Sequence, residues 1–153
     1  MRPLYIFDLD GTLALCDHRK HFLDQKDNPR RWRAFYAACD QDAPNVPVIA
    51  LMEHLRLIAD VWIFSGRSDE VRDKTEAWLR LHTSFLAHEL ETVLTMREAD
   101  DHRPDDELKR EWLDLLLVED RARLAGAFDD RDRVVKMWRD AGVTCFQVAP
   151  GDF

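Results

Sequence analysis

Five short segments carry apolar residues in near-continuous runs: residues 4–7 (Leu-Tyr-Ile-Phe), 61–64 (Val-Trp-Ile-Phe), 92–96, 124–128 and 143–148. Runs of four to six bounded by polar residues read as strands buried on both faces. Between them the apolar positions recur every three or four residues, the helical period. Residues 46–57 form one such amphipathic stretch. A second carries Val71, Thr75, Trp78 and Leu79 behind a capping Ser68 or Asp69. A third starts near Pro104-Asp105 with Leu108, Trp112 and Leu115 inward. A fourth carries Val134, Val135, Met137 and Trp138, with Gly142 where a C-terminal cap is expected. Residues 14–44 are polar and basic-aromatic, and Arg31, Trp32, Phe35, Tyr36 and Cys39 recur there at helical spacing. The five tryptophans fall mostly in helical stripes, which places them in the core.

Strand and helix alternate about five times, the pattern of an α/β fold. A Rossmann-like parallel sheet of about five strands with helices on both faces is expected. No repeat or linker interrupts the 153 residues, so one domain spanning 1–153 is expected, with residues 16–45 forming at most a small helical cap or insertion.

Charge narrows the function. Lysine and arginine total 22 against 30 acidic residues, a net charge of −8, so a protein coating nucleic acid over its whole surface is disfavoured. A local basic groove on an acidic body is still compatible. No apolar stretch approaches the ~20 residues that span a bilayer, and no signal peptide is apparent. Cys16, Cys39 and Cys145 are odd in number and far apart, which points to reduced thiols and a cytoplasmic location. His18 and His21 lack the Cys or His partners that a zinc site needs.

Chemistry concentrates where strands end, and ligands of open parallel sheets bind there. The first strand ends in Asp8-Leu9-Asp10, the second in Ser65-Gly66-Arg67 and the fourth in Asp129-Asp130. Four aspartates on one rim repel each other and call for a cation, and an all-oxygen cluster suits Mg²⁺. Asp8 and Asp10, two residues apart, project to one side. A carboxylate can attack phosphorus, and a second can protonate the leaving oxygen. Asp105 and Lys109 are one helical turn apart, a spacing at which the carboxylate would hold the ammonium toward a phosphate.

The segment Phe7-Asp8-Leu9-Asp10-Gly11-Thr12-Leu13 resembles the first signature of the HAD (haloacid dehalogenase-like) phosphohydrolases. Ser65, Lys109 and Asp129-Asp130 fall where that superfamily has its other three. The resemblance implies a nucleophile at Asp8, a general acid/base at Asp10, phosphate contacts from Ser65 and Lys109, and Mg²⁺ on Asp8, Asp129, the Asp10 backbone carbonyl and Asp130. An aspartate at position 10 resembles the phosphatase branch, since dehalogenases lack it. Asp129-Asp130-Arg131, residues 134–139 and the terminus 145–153 are similar to the 3′-phosphatase domain of bacteriophage polynucleotide kinase-phosphatases. Arg19, Arg67 and Asp105 fall on that family's substrate-binding and catalytic positions, with Thr12 and Gly66 beside them. The likeness is strongest at residues 4–19, 62–67 and 103–153 and weak over 20–60.

One departure concerns the kinase of those phage enzymes, whose P-loop needs two glycines five residues apart. The glycines here, at 11, 66, 126, 142 and 151, never meet that spacing, so a phosphatase without a kinase domain is expected. The expected substrate is a 3′-phosphorylated nucleic-acid end. A nucleoside monophosphate or other small phosphate ester is the alternative, and a non-catalytic end-binding module ranks last because every catalytic position is filled. The basic-aromatic residues 26–36 offer a nucleic-acid contact or a solvated helix face. No obligatory protein partner is evident, and the sequence leaves the oligomeric state open.

Overall fold

The computed structural model describes residues 1–152. Its centre is β1 (Leu4–Phe7), flanked by β4 (Asp60–Ser68) and β6 (Leu124–Asp129). The edge strands are β5 (Leu94–Arg97) and β7 (Cys145–Gln147). The order is β5-β4-β1-β6-β7, and all four pairings are parallel. This is the α/β architecture that the alternating pattern predicts, and each strand overlaps one of the five predicted segments, with β4 running well past its own.

Two cores explain why the strands are apolar throughout. Phe7, Val61, Ile63 and Phe128 face one side, against Met52 of α2 (Val46–Ile58), Trp78 and Leu79 of α3 (Arg72–His82) and Leu90 of α4 (Ala87–Val93). Ile6, Phe64 and Ala127 face the other, against Leu113 of α5 (Asp105–Asp114) and Val134, Val135 and Trp138 of α7 (Asp132–Asp140). Each such fully buried side chain stabilises by roughly 1.5–3 kcal/mol. Phe7 and Phe128 stack at 4.2 Å across the β1–β6 seam. That seam is the topological switch point, where the chain runs from β1 toward β4 on one side and from β6 toward β7 on the other.

Residues 16–45 hold a 3-10 turn at Asp17–Phe22, α1 (Arg31–Ala37) and a second 3-10 turn at Cys39–Gln41. A two-stranded antiparallel pair, β2 (Ala14–Leu15) and β3 (Ala43–Pro44), closes this segment at its base. Among the described residues no helix is long and apolar enough to cross a membrane.

Several local details differ from the sequence reading. Strand β4 does not stop at Ser65-Gly66 but continues to Ser68, with a register irregularity against β5 between Ser65 and Ser68. Residues 92–93 close a helix instead of opening a strand, because Leu90 is drawn into the core. A further helix, α6 (Val118–Arg123), has no buried residue and so no periodic signature. Trp32 is not in the core: it is 44% exposed on α1, whereas Trp78 and Trp138 are buried.

Candidate active site

The strand ends converge as the spacing implies. Asp8 follows β1, its backbone N–H donating to Phe128 O at 2.8 Å, which ties it to the end of β6. There Asp129 and Asp130 follow, and one oxygen of each of the three carboxylates lies within 4.8 Å of the others. Lys109 of α5, 2% exposed, lies between two of them and donates to Asp8 Oδ1 and Asp129 Oδ2, each at 2.7 Å. Thr12 is fully buried and donates through Oγ1 to Asp8 Oδ2 at 3.1 Å, so it steadies the carboxylate from below.

One cation among three anions leaves this cluster short of positive charge. Burial pushes the Asp8 carboxyl well above its ordinary range despite Lys109, and Asp129 and Asp130 push it the same way. Burial and Asp129 lift Asp130 to about 6. Burial would lower the Lys109 ammonium, but Asp129 and Asp8 outweigh it and hold it charged. Three buried oxygen donors around a deficit of charge fit a hard divalent cation. Gly11, at φ +85°, belongs to the same fit: a Cβ there would fall 2.1 Å from Asp130 Oδ2.

Asp10 lies in a different setting. Its Oδ1 accepts from Arg19 Nη2 at 2.5 Å, Arg67 Nε at 2.9 Å and Arg67 Nη2 at 2.6 Å, and Oδ2 takes part in none of these bonds. Burial alone would raise its pKa, yet Arg67 and Arg19 outweigh burial and hold the carboxyl below the usual range. Both arginines are completely buried. Their other donors go to Asp42, at 2.7 Å from Arg19 Nε and Nη2 and 2.8 Å from Arg67 Nη2, and to Phe35 O and Thr75 Oγ1. Neither arginine lines the cavity beside the carboxylates. Their geometry fixes the orientation of Asp10.

Ser65 is buried within β4, where its register against β5 shifts, and accepts from the Arg67 backbone N–H at 3.2 Å. Gly66 lines the cavity, and a Cβ there would lie 2.8 Å from Asp105 Oδ1. Asp105 corrects the spacing argument. It makes no hydrogen bond to Lys109 and instead accepts from Arg97 and from Arg131 Nη1, the latter at 2.9 Å, although its charge still raises the Lys109 pKa. Arg97 also donates to Gly66 O at 2.8 Å, so Asp105 and Arg97 brace the β4–β5 rim.

Sequence reasoning missed Asp42, Arg97 and Arg131. Asp42 also binds His18 Nε2 at 2.8 Å, and its backbone carbonyl accepts from Trp78 Nε1 at 2.8 Å. The signal available was indirect: two buried guanidinium groups beside one Asp10 require a second carboxylate.

The cavity itself measures about 210 Å³, with Asp8, Asp10, Lys109, Asp129 and Asp130 at its floor and Leu23, Trp32, Phe35 and Tyr36 along its wall. Two carboxylates, an ammonium and a cation-deficient trio at a Rossmann-like switch point supply the kinds of group that phosphoryl transfer uses. The sequence agrees: the family model of the polynucleotide kinase PNKP phosphatase domain, of HAD type, matches residues 2–153. The chain belongs to that family and is a HAD-type phosphatase.

A bifunctional polynucleotide kinase/RNA ligase of Autographa californica nuclear polyhedrosis virus is 31% identical over 144 residues, covering 92% of this chain and 18% of that protein. Two solved structures of the Pnkp1/Rnl/Hen1 complex, one described as an RNA repair complex, match 99% of this chain. Their identities are 31% and 33% and their TM-scores 0.76 and 0.72. The chain spans 44% and 48% of those two proteins. A phosphatase structure from Clostridium difficile shares the fold at a TM-score of 0.64 with 12% identity, covering 95% of this chain and 84% of that one.

Proposed function

We propose that this chain is a Mg²⁺-dependent phosphomonoesterase that removes the 3′-phosphate from a nucleic-acid end through a phosphoaspartate on Asp8. The observation that carries the reading is the bridge Asp8–Lys109–Asp129 on the floor of a cavity that Asp10 also lines. Kinship with RNA-repair proteins supports a polynucleotide end as the substrate class.

In the first half-reaction an Asp8 oxygen attacks phosphorus, the bond to the 3′-oxygen breaks, and that oxygen takes a proton from Asp10. In the second, Asp10 removes a proton from water as the water oxygen attacks phosphorus. The Asp8–phosphorus bond then breaks and inorganic phosphate leaves. Arg19 and Arg67 keep Asp10 ionised at rest, the form required in the second half. A phosphate monoester has its second pKa near 6, so a substrate monoanion passes its proton to Asp10 for the first, and the proton that Asp10 takes from water leaves with the inorganic phosphate, which restores the ionised carboxylate. Lys109 and Ser65 neutralise the transferring oxygens, where preorganised charge is most effective. Asp8, Asp129 and Asp130 would hold Mg²⁺, which when bound offsets the phosphate's negative charge.

Phosphate release from 3′-phosphorylated oligonucleotides, set against nucleoside 3′- and 5′-monophosphates, tests the reading. The oligonucleotide should be hydrolysed with the highest kcat/KM in Mg²⁺, and the activity should disappear in chelator. Equal turnover of a nucleoside 5′-monophosphate at moderate salt would replace end processing with mononucleotide hydrolysis.

A further inference from the structure

A second cavity, about 430 Å³, adjoins the first, and Trp32, Tyr36, Asp105 and Arg131 line both. The two differ in charge. Six aspartates meet two lysines and one arginine around the first, whereas five arginines meet three carboxylates around the second. On a chain of net charge −8, this is an arginine-rich recess opening from an acidic site. Arg33, Arg103 and Arg133 stand exposed at its edge. Arg33 meets Glu70 at 3.2 Å and Arg133 meets Asp106 at 3.7 Å, and Arg103 pairs with Asp101 and Glu111. Exposed pairs of this kind are worth ~0–1 kcal/mol, so a phosphate can draw on these arginines at little cost.

Trp32 stands at the threshold. Its aromatic neighbours Phe35 and Tyr36 lie 6.0 Å away, one edge-on at 86° and one tilted at 31°, so neither stacks on it. A large indole left 44% exposed between a catalytic floor and an arginine-lined recess is a platform for a nucleobase.

Building on the proposed 3′-phosphatase reading, we infer that Trp32 stacks on the terminal base. The second cavity then takes the 5′-phosphodiester that joins this nucleotide to the rest of the strand. The ligand class is a nucleoside 3′-phosphate that also bears a 5′-phosphoryl group, so a 5′-phosphate alone should supply much of the advantage of a longer strand.

The experiment compares kcat/KM for a nucleoside 3′-monophosphate, the corresponding 3′,5′-bisphosphate, a 3′-phosphorylated trinucleotide and an aryl phosphate. The bisphosphate should exceed the 3′-monophosphate on the order of tenfold, the factor that about 1.4 kcal/mol supplies, and the gain should fall with salt. The double substitution Arg33→Glu/Arg133→Glu should erase that ratio through KM. Trp32→Ala should raise KM for both nucleotides more than for the aryl phosphate, and Trp32→Phe should restore most of the loss. In the folded parent, binding of a dinucleotide lacking the 3′-phosphate should quench tryptophan fluorescence, with a smaller change in Trp32→Phe. Equal kcat/KM for the 3′-monophosphate and the 3′,5′-bisphosphate, with the trinucleotide still hydrolysed, would overturn the subsite and leave the 3′-phosphatase reading intact. No release of the 3′-phosphate from the trinucleotide, with the aryl phosphate turned over, would overturn both.

Discussion

Two buried charge assemblies lie beside each other at the carboxyl ends of β1, β4 and β6, and they balance their charges differently. In one, Lys109 faces Asp8, Asp129 and Asp130, three anions on one cation. In the other, Arg19 and Arg67 face Asp10 and Asp42, two on two, with the carboxylates shared between both guanidinium groups. The difference shows in proton affinity: burial and like charge raise Asp8 and Asp130, while the arginines hold Asp10 low against its burial. Buried ions without full compensation are costly, so the first assembly has a charge deficit that a cation would fill. The second is already satisfied and serves as a frame. Asp8 and Asp10 are two residues apart, yet each belongs to a different assembly.

The largest effect expected from breaking this contrast is on activity. Asp8→Asn keeps the shape and removes the proposed nucleophile with one of the three crowded anions. Turnover of a 3′-phosphorylated oligonucleotide should fall by about 10³ or more. Stability in denaturant should hold or rise, because the substitution relieves repulsion. A folded Asp8→Asn protein keeping a tenth of kcat would end the covalent mechanism.

The second assembly should respond the other way, with stability lost first. Asp42→Ala leaves two buried guanidinium groups to share Asp10, and breaking a buried pair from one side costs about 3–5 kcal/mol. Urea midpoints would measure this. A loss below about 1 kcal/mol would mean that Arg19 and Arg67 find water or another acceptor, and that the frame is not built on Asp42.

The two assemblies also differed in how far the sequence revealed them. Asp8, Asp10 and Asp129-Asp130 end strands whose apolar runs are unmistakable, because both faces of a parallel sheet are covered. Lys109 comes from a helix: its spacing from Asp105 suggested a phosphate contact, and the resemblance to a family placed it beside the carboxylates. Asp42 had no such marker. It follows no apolar run, and it reaches Arg19 and Arg67 because the two-residue strands β2 and β3 pair, a contact without periodicity to betray it. Asp105 misled through spacing: one turn before Lys109 it reads as its partner, but Arg97 and Arg131 arrive from β5 and the end of β6 and take both oxygens. Trp32 misled likewise, since helical spacing with Phe35 and Tyr36 suggests burial, and a seven-residue helix at the edge of the site does not supply it.

The smallest predicted effect separates the assemblies by pH and metal. Asp130, raised to about 6, and Asp8, raised well above its ordinary value, hold protons more tightly in the folded chain than in the unfolded one. Their contribution to stability is therefore full below the unfolded value near 4 and is lost as pH rises through each raised value, about 6 for Asp130. Asp10, held low, has the opposite sign: its contribution is present above that unfolded value and is lost only as pH falls through its lower folded value. The proposed Mg²⁺ site needs ionised carboxylates, so protons compete for Asp130 below about 6. At 100-fold excess over its dissociation constant it should stabilise by about 2.7 kcal/mol, which for a chain of this size raises Tm by roughly 5–10 °C at pH 7.5. At pH 5 the increment should shrink toward zero, and Asp129→Asn should remove most of it at either pH. Differential scanning fluorimetry with and without Mg²⁺ isolates the term, because the contribution of Asp10 is common to both arms. An increment of equal size at pH 5 and 7.5, or one that survives in Asp129→Asn, would place the cation away from the three carboxylates.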